Sequence, residues 1–181
     1  MYLAVVIPAY NEEQRIGKTL RVVHAYLQRQ SYPAEIIAVD DGSQDETASI
    51  ARAFDAALPR THVLQNGQNR GKGFSVRQGF LHACGEYLLF SDADLSTPIG
   101  EVEKLLAALC EPCDIATGSR ALPGSRVEVH QPRYREHMGR LFNVFVQALA
   151  VPGIRDTQCG FKRFRREIAM NEVSSCLLSR I

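Results

Sequence analysis

Apolar runs alternate with helical patterns along most of the chain. Leu3–Ile7 is an unbroken apolar run ended by Pro8, the pattern of a buried strand. Over 12–29, apolar Ile16, Leu20, Val23 and Leu27 are spaced by 4, 3 and 4, which is one face of a helix. Ile36–Val39 predicts a second strand. A helix over 45–54 follows, with Ser43 or Asp45 as its N-cap. His62–Leu64 predicts a third strand, 73–83 a helix, and Tyr87–Phe90 a fourth strand. Pro98 then opens a helix over 99–109, and Ile115–Thr117 is a fifth strand.

This β-α-β-α order predicts an α/β fold, with a mostly parallel sheet covered by helices on both faces. Ligands of such sheets bind beyond the carboxyl ends of the strands. Asn11–Glu13, Asp40–Ser43 and Asp92–Asp94 all fall there. After residue 122 the pattern changes. Pro123–Tyr134 is a loop rich in Pro, Gly, Arg and His, and 135–150 predicts a helix with Phe142, Phe145 and Leu149 on one face. Asp156–Phe164 reads as a turn and a short strand.

With 181 residues, 45% of them hydrophobic, one domain with a sizeable core is expected. Lys plus Arg total 21 and Asp plus Glu total 20, a net charge of +1, which argues against a nucleic-acid partner bound through a broad positive field. The five cysteines follow no basic, apolar leader, so reduced thiols in a cytoplasmic setting are expected. Cys110 and Cys113 form a lone C-x-x-C, read as structural, and Cys159 is read as a packing residue. The apolar stretch Leu141–Pro152 falls short of the roughly 20 residues of a spanning helix.

The chemistry lies in the polar clusters. Asp92 and Asp94 form a D-x-D where a strand ends. Such a pair suits Mg²⁺ or Mn²⁺, hard cations that take one or two carboxylates and complete their shell with water and phosphate oxygens. It equally suits a solvated loop or a helix cap. Asp40 and Asp41, followed by Gly42 and Ser43, need donors if they are buried. A base imide, a ribose hydroxyl or an Asx-type turn would supply them. The turn Asn69-Arg70-Gly71-Lys72-Gly73 offers N–H groups and cations to phosphate. It is not a Walker loop, because three residues separate Gly67 from Gly71 and Gly73 follows Lys72.

In order, the chain carries Val6-Ile7-Pro8-Ala9-Tyr10-Asn11-Glu12, Val39-Asp40-Asp41-Gly42-Ser43, Asn69-Arg70-Gly71-Lys72-Gly73 and Asp92-Ala93-Asp94-Leu95-Ser96. Gly118-Ser119-Arg120 and Asp156-Thr157-Gln158-Cys159-Gly160-Phe161-Lys162 follow. This set resembles the family 2 glycosyltransferases of GT-A fold over residues 3–165, leaving 166–181 as a short tail. Within the family it resembles the enzymes that load polyprenyl phosphates, on the glucosyl rather than the mannosyl side.

The resemblance implies inverting sugar transfer from a nucleotide-diphosphate sugar, UDP-glucose foremost, to a polyprenyl phosphate. A hydroxyl acceptor in polysaccharide or glycoprotein synthesis, or a non-catalytic nucleotide-sugar-binding fragment, are the alternatives. It also implies roles. Pro8, Tyr10 and Glu12 hold the nucleotide, Tyr10 beside the base and Glu12 near the ribose. Asp40 reads the base edge, with Asp41 beside it. Asp92 lies near ribose and metal, and Asp94 is the main ligand of Mg²⁺ or Mn²⁺. Lys72 serves the nucleotide loop, and Arg120 faces the diphosphate or the acceptor phosphate.

Arg126, Arg133, Arg135 and Lys162 are further candidates for the acceptor phosphate, and 126–140 for peripheral contact with the cytoplasmic face of a membrane. His130 and His137 sit in the same stretch and read as surface residues. Domains of this family usually continue past this point with another acidic, aromatic segment. The chain is therefore expected to lack part of the acceptor side.

Overall fold

The computed structural model describes residues 1–108, 114–119 and 159–171. It divides into two compact units, Met1–Ala116 with Gly160–Ile181, and Thr117–Cys159. Of the second unit only 117–119 and 159 lie among the described residues.

The strands are β1 (Leu3–Ala9), β2 (Ala34–Asp40), β3 (Thr61–Gln65), β4 (Tyr87–Ser91), β5 (Ile115–Thr117) and β6 (Phe161–Arg165). They form one sheet in the order β3-β2-β1-β4-β6-β5. The pairs β1–β2, β1–β4 and β2–β3 are parallel, and β4–β6 is antiparallel. The α/β expectation holds, with a mixed, mostly parallel sheet.

The helices are α1 (Glu13–Leu27), α2 (Thr47–Ala57), α3 (Lys72–His82) and α4 (Val102–Ala107). Residues 166–171 form a further helical segment. Alternation along β1 divides the core between two faces. Ala4 and Val6, with Ile37 and Val39 of β2, meet Phe80 and Ala83 from the α3 side and Ala169 from the last segment. Leu3, Val5 and Ile7 point the other way, toward the face where α1 buries Ile16, Leu20 and Val23. Both faces of these strands are buried, as a mostly parallel sheet covered by helices on each side requires.

Close approach sets where α3 can lie. A Cβ on Gly79 would run into Val6 Cγ1 and sit 3.2 Å from Val39 Cγ2, so the helix rests directly on the sheet.

Several sequence expectations shift. β1 runs through Pro8 to Ala9, still paired with Val39 and Asp40 of β2 after the ladder with β4 has ended at Val6 and Phe90. The helix expected over 99–109 is a 3₁₀ turn, Ile99–Glu101, followed by α4. The residue before α2 is Glu46, and Asp45 serves its first turn by accepting from the Thr47 N–H at 3.0 Å. Ser43 instead accepts from the Asn11 N–H at 3.0 Å. Arg120, Arg126, Arg133 and Arg135, the helix over 135–150, His130, His137, Cys110 and Cys113 lie outside the described residues. No helix among the described residues is long and apolar enough to cross a membrane.

Candidate active site

The strand order creates the site. From β1 the chain steps to β2 and β3 on one side, and β4 is laid on the other. The connections therefore diverge between β1 and β4, leaving a crevice beyond their carboxyl ends. A cleft of about 370 Å³ occupies that position. Pro8, Tyr10 and Glu12 line it at and beyond the end of β1, Asp92 and Asp94 beyond the end of β4, Asp41 and Gly71 from the intervening loops, and Lys72 from the start of α3. Seven of the residues singled out from sequence thus share one cavity. Asp40 is 2% exposed, lies at the end of β2 rather than among the lining residues, and accepts from the Ser43 N–H at 3.3 Å.

The loops at the strand ends are tied together. Asn11 adopts φ 53°, a left-handed conformation that Asn tolerates better than most residues. From there its Oδ1 accepts from the Gln44 N–H at 3.0 Å. The Glu12 N–H donates to Thr47 Oγ1 at 2.7 Å, and the Glu13 N–H to Asp45 Oδ2 at 3.2 Å. Donors at the start of α1 are thus satisfied by the first residue of α2 and the turn before it. The Thr19 hydroxyl donates to the Ala93 carbonyl at 2.5 Å, anchoring the middle of the D-x-D to α1.

Asp41 finds its donors inside the protein. It is 3% exposed and accepts from Asn66 Nδ2 at 2.7 Å, the Arg70 N–H at 3.1 Å and the Gly71 N–H at 2.8 Å. Burial alone would raise its pKa. The bonds from Asn66, the Arg70 N–H, Ser75 and the Gly71 N–H outweigh burial and hold the carboxyl below its usual range. Gly42, at φ +73°, makes this possible, since a Cβ there would lie 2.6 Å from the Gln68 carbonyl carbon. Asp41 therefore shapes the 66–71 loop, and through it the start of α3.

Asp94 is held ionised by a similar balance. Burial pushes its pKa up, but bonds from the Ser96 hydroxyl and N–H, with the charges of Arg15 and Lys72, bring it below the ordinary value. The Ser96 N–H bond is 2.9 Å. Asp92 forms an ion pair with Lys72. Its carboxylate also rests against Gly160, where any Cβ would overlap it. Register explains the contact: Ser91 pairs with Phe161 across the antiparallel β4–β6 ladder, which brings Gly160 next to Asp92. Lys162 is on β6 at the register of Phe90.

Sequence reasoning missed Gly160 as a partner of Asp92, Asn66 as a partner of Asp41, and Arg15. Arg15 pairs with Glu12 at 3.1 Å, three residues back. That i, i+3 spacing was the available signal. The other two contacts depend on tertiary register and carry no local signal.

The donor set fits a hard divalent cation. Both D-x-D groups are oxygen donors facing one cleft. Among the described residues, no group of three His, Cys, Asp or Glu is placed to hold a metal without help. Such an ion would take further oxygens from a phosphate ligand or water.

The chain belongs to the family described as Glycosyl transferase family 2, which it matches over residues 4–171. The particular relatives agree with one another. A dolichyl-phosphate beta-glucosyltransferase of Drosophila melanogaster is 39% identical over 98% of this chain and 59% of its own length. The enzyme of that name from Homo sapiens is 36% identical with the same coverage. The chain thus spans little more than half the length of the curated relatives it matches.

Two solved structures are similar in fold. A mannosyl-3-phosphoglycerate synthase from Rubrobacter xylanophilus has a TM-score of 0.66 and 24% identity, covering 93% of this chain and 54% of its own. A mannosyltransferase from Pyrobaculum calidifontis, solved with GDP-Man and Mn²⁺, has a TM-score of 0.64 and 24% identity, covering 94% and 46%. The fold is that of the GT-A glycosyltransferases.

Proposed function

We propose that this chain is the nucleotide-sugar domain of an inverting glycosyltransferase that moves glucose from UDP-glucose to a polyprenyl phosphate of the dolichyl type. One observation carries the reading. The β1–β4 crevice gathers Tyr10, Glu12, Asp92 and Asp94 into a single cleft. The chain holding it is 36–39% identical to dolichyl-phosphate beta-glucosyltransferases over nearly its whole length.

The reaction exchanges one C–O bond for another at the anomeric carbon. The bond to the nucleoside diphosphate breaks as the acceptor phosphate oxygen attacks from the opposite face. Tyr10, 42% exposed at the cleft, offers a ring face to the base. Glu12 accepts from the ribose hydroxyls. Asp92 and Asp94 would hold Mg²⁺ or Mn²⁺, which supplies charge neutralisation to the leaving diphosphate. Lys72, and by family resemblance Arg120, add positive charge at the same oxygens.

A hydroxyl acceptor would require a general base. A phosphate monoester, with a second pKa of about 6, is already an anionic nucleophile near neutral pH. The cleft then has to position two anions rather than remove a proton. A lipid acceptor also requires contact with a membrane surface, which this reading puts at the cytoplasmic face.

The test is transfer of radiolabelled sugar to a polyprenyl phosphate, comparing UDP-glucose, UDP-GlcNAc and GDP-mannose with Mg²⁺ or Mn²⁺. Lipid-linked product from UDP-glucose alone is expected. Product from GDP-mannose, or transfer to hydroxyl acceptors only, would overturn the assignment. The alternative of a non-catalytic nucleotide-sugar-binding chain predicts UDP and Mn²⁺ binding with no turnover.

A further inference from the structure

We infer that Lys72 is a built-in counter-cation of the D-x-D. It occupies Asp92 before the metal arrives, so that metal and nucleotide diphosphate enter the cleft cooperatively. The inference rests on the assignment of Asp92 and Asp94 as the metal-facing pair.

Three observations place the ammonium there. Lys72 pairs with Asp92 from the first residue of α3. Its Nζ also lies 5.0 Å from the centre of the Phe90 ring, two residues before Asp92 on β4, which offers it a favourable π face. The backbone behind it is fixed, because Gly71 holds φ +90° and its N–H donates to the buried Asp41 at 2.8 Å. The partner is fixed as well, since Gly160 stands against the Asp92 carboxylate and leaves no room for a side chain. Lys72 is the more exposed member of the pair, 58% against 25% for Asp92, and its charge sits on a four-carbon stem with free rotamers.

A divalent cation on Asp92 must displace this ammonium or bind beside it, and both oppose binding. A diphosphate in the cleft gives the ammonium another anionic partner within reach. Release of Asp92 and capture of the diphosphate are then one movement, and each ligand favours the other by linkage.

The experiment measures Mn²⁺ binding to the 181-residue chain by loss of the free Mn²⁺ electron paramagnetic resonance signal. It is run alone and with UDP. UDP binding without metal is measured by calorimetry. Lys72→Met is compared with Lys72→Arg, and thermal melts check that both are folded. For Lys72→Met, Mn²⁺ alone binds about three- to ten-fold tighter than to wild type, the range expected for losing one partly exposed pair and its repulsion. UDP without metal binds several-fold weaker, and the enhancement of Mn²⁺ binding by UDP shrinks. Lys72→Arg stays near wild type on both.

The opposite signs are diagnostic. A lysine that only contacts diphosphate would leave the affinity for Mn²⁺ alone unchanged, and one that only supports the fold would weaken both. Either result overturns the counter-cation role and leaves the metal assignment standing. Should wild type and Asp94→Asn fail equally to bind Mn²⁺ with UDP present, the metal assignment falls and this role falls with it.

Discussion

Asp41 and Asp94 show how differently two carboxylates can be used within one cleft. Asp41 spends its acceptor capacity on Asn66 and two backbone N–H groups, so it builds the loop. Its folded pKa lies below the unfolded value of about 3.9. The stabilisation is therefore fully present above that value and is lost as pH falls through the folded pKa. Asp41→Asn is expected to lower stability at pH 7 by about 1–3 kcal/mol and to flatten the pH dependence below about pH 4. Urea titrations across pH would check both. Asp94 has capacity left for a ligand. Asp94→Asn is expected to abolish transfer and weaken Mn²⁺ binding, with little change in melting temperature. Gly160→Ala drives a methyl into the Asp92 carboxylate, and Mn²⁺–UDP affinity should fall at least about tenfold. Unchanged affinity in a direct titration would remove Gly160 from the site.

Among the elements, α3 joins core to cleft. Its first residue is Lys72, and its Gly79 lies flat on Val6 and Val39. Gly79→Ala must lift the helix or displace Val6, at a cost of about 1–3 kcal/mol. We expect a lower melting temperature together with weaker UDP binding, because the same displacement moves Lys72. On β6, Arg163 is 1% exposed, with its guanidinium 3.7 Å from the Tyr87 ring centre and Nη1 donating to the Leu105 carbonyl at 2.9 Å. Burial lowers its pKa. It ties the end of α4 to the sheet. The 3.6-residue spacing of Ile16, Leu20 and Val23 announced α1 from sequence. Nothing comparable announced the 3₁₀ entry to α4, because a single tight turn is too short to carry a period.

For the molecule as a whole, near-zero net charge conceals a division of labour. Acids gather at the β1–β4 crevice, where a cation would bind beside a diphosphate. Ligands that bind only the folded state raise the melting temperature. UDP with Mn²⁺ is expected to shift it more than the sum of either alone, whereas GDP with Mn²⁺ shifts it little. Equal shifts for both nucleotides in a thermal-shift panel would count against the uridine assignment.

Residue type and spacing alone determined the strand–helix order and the acidic strand ends, because hydrophobic period and polar clustering are local properties of the chain, while the ordered motifs carried the resemblance to the family. Glu12, Asp92 and Asp94 were legible in that way, and Pro8 and Tyr10 became candidates through the family resemblance. Only the tertiary structure decided that β4 lies beside β1, which turns separate strand ends into one crevice. It likewise decided that Asp41 faces the 66–71 loop, that Lys72 reaches Asp92, and that an antiparallel β6 sets Gly160 against that carboxylate. Each of these joins residues 20 or more positions apart. Pairing register and helix placement bring them together, and neither leaves a trace in local sequence pattern.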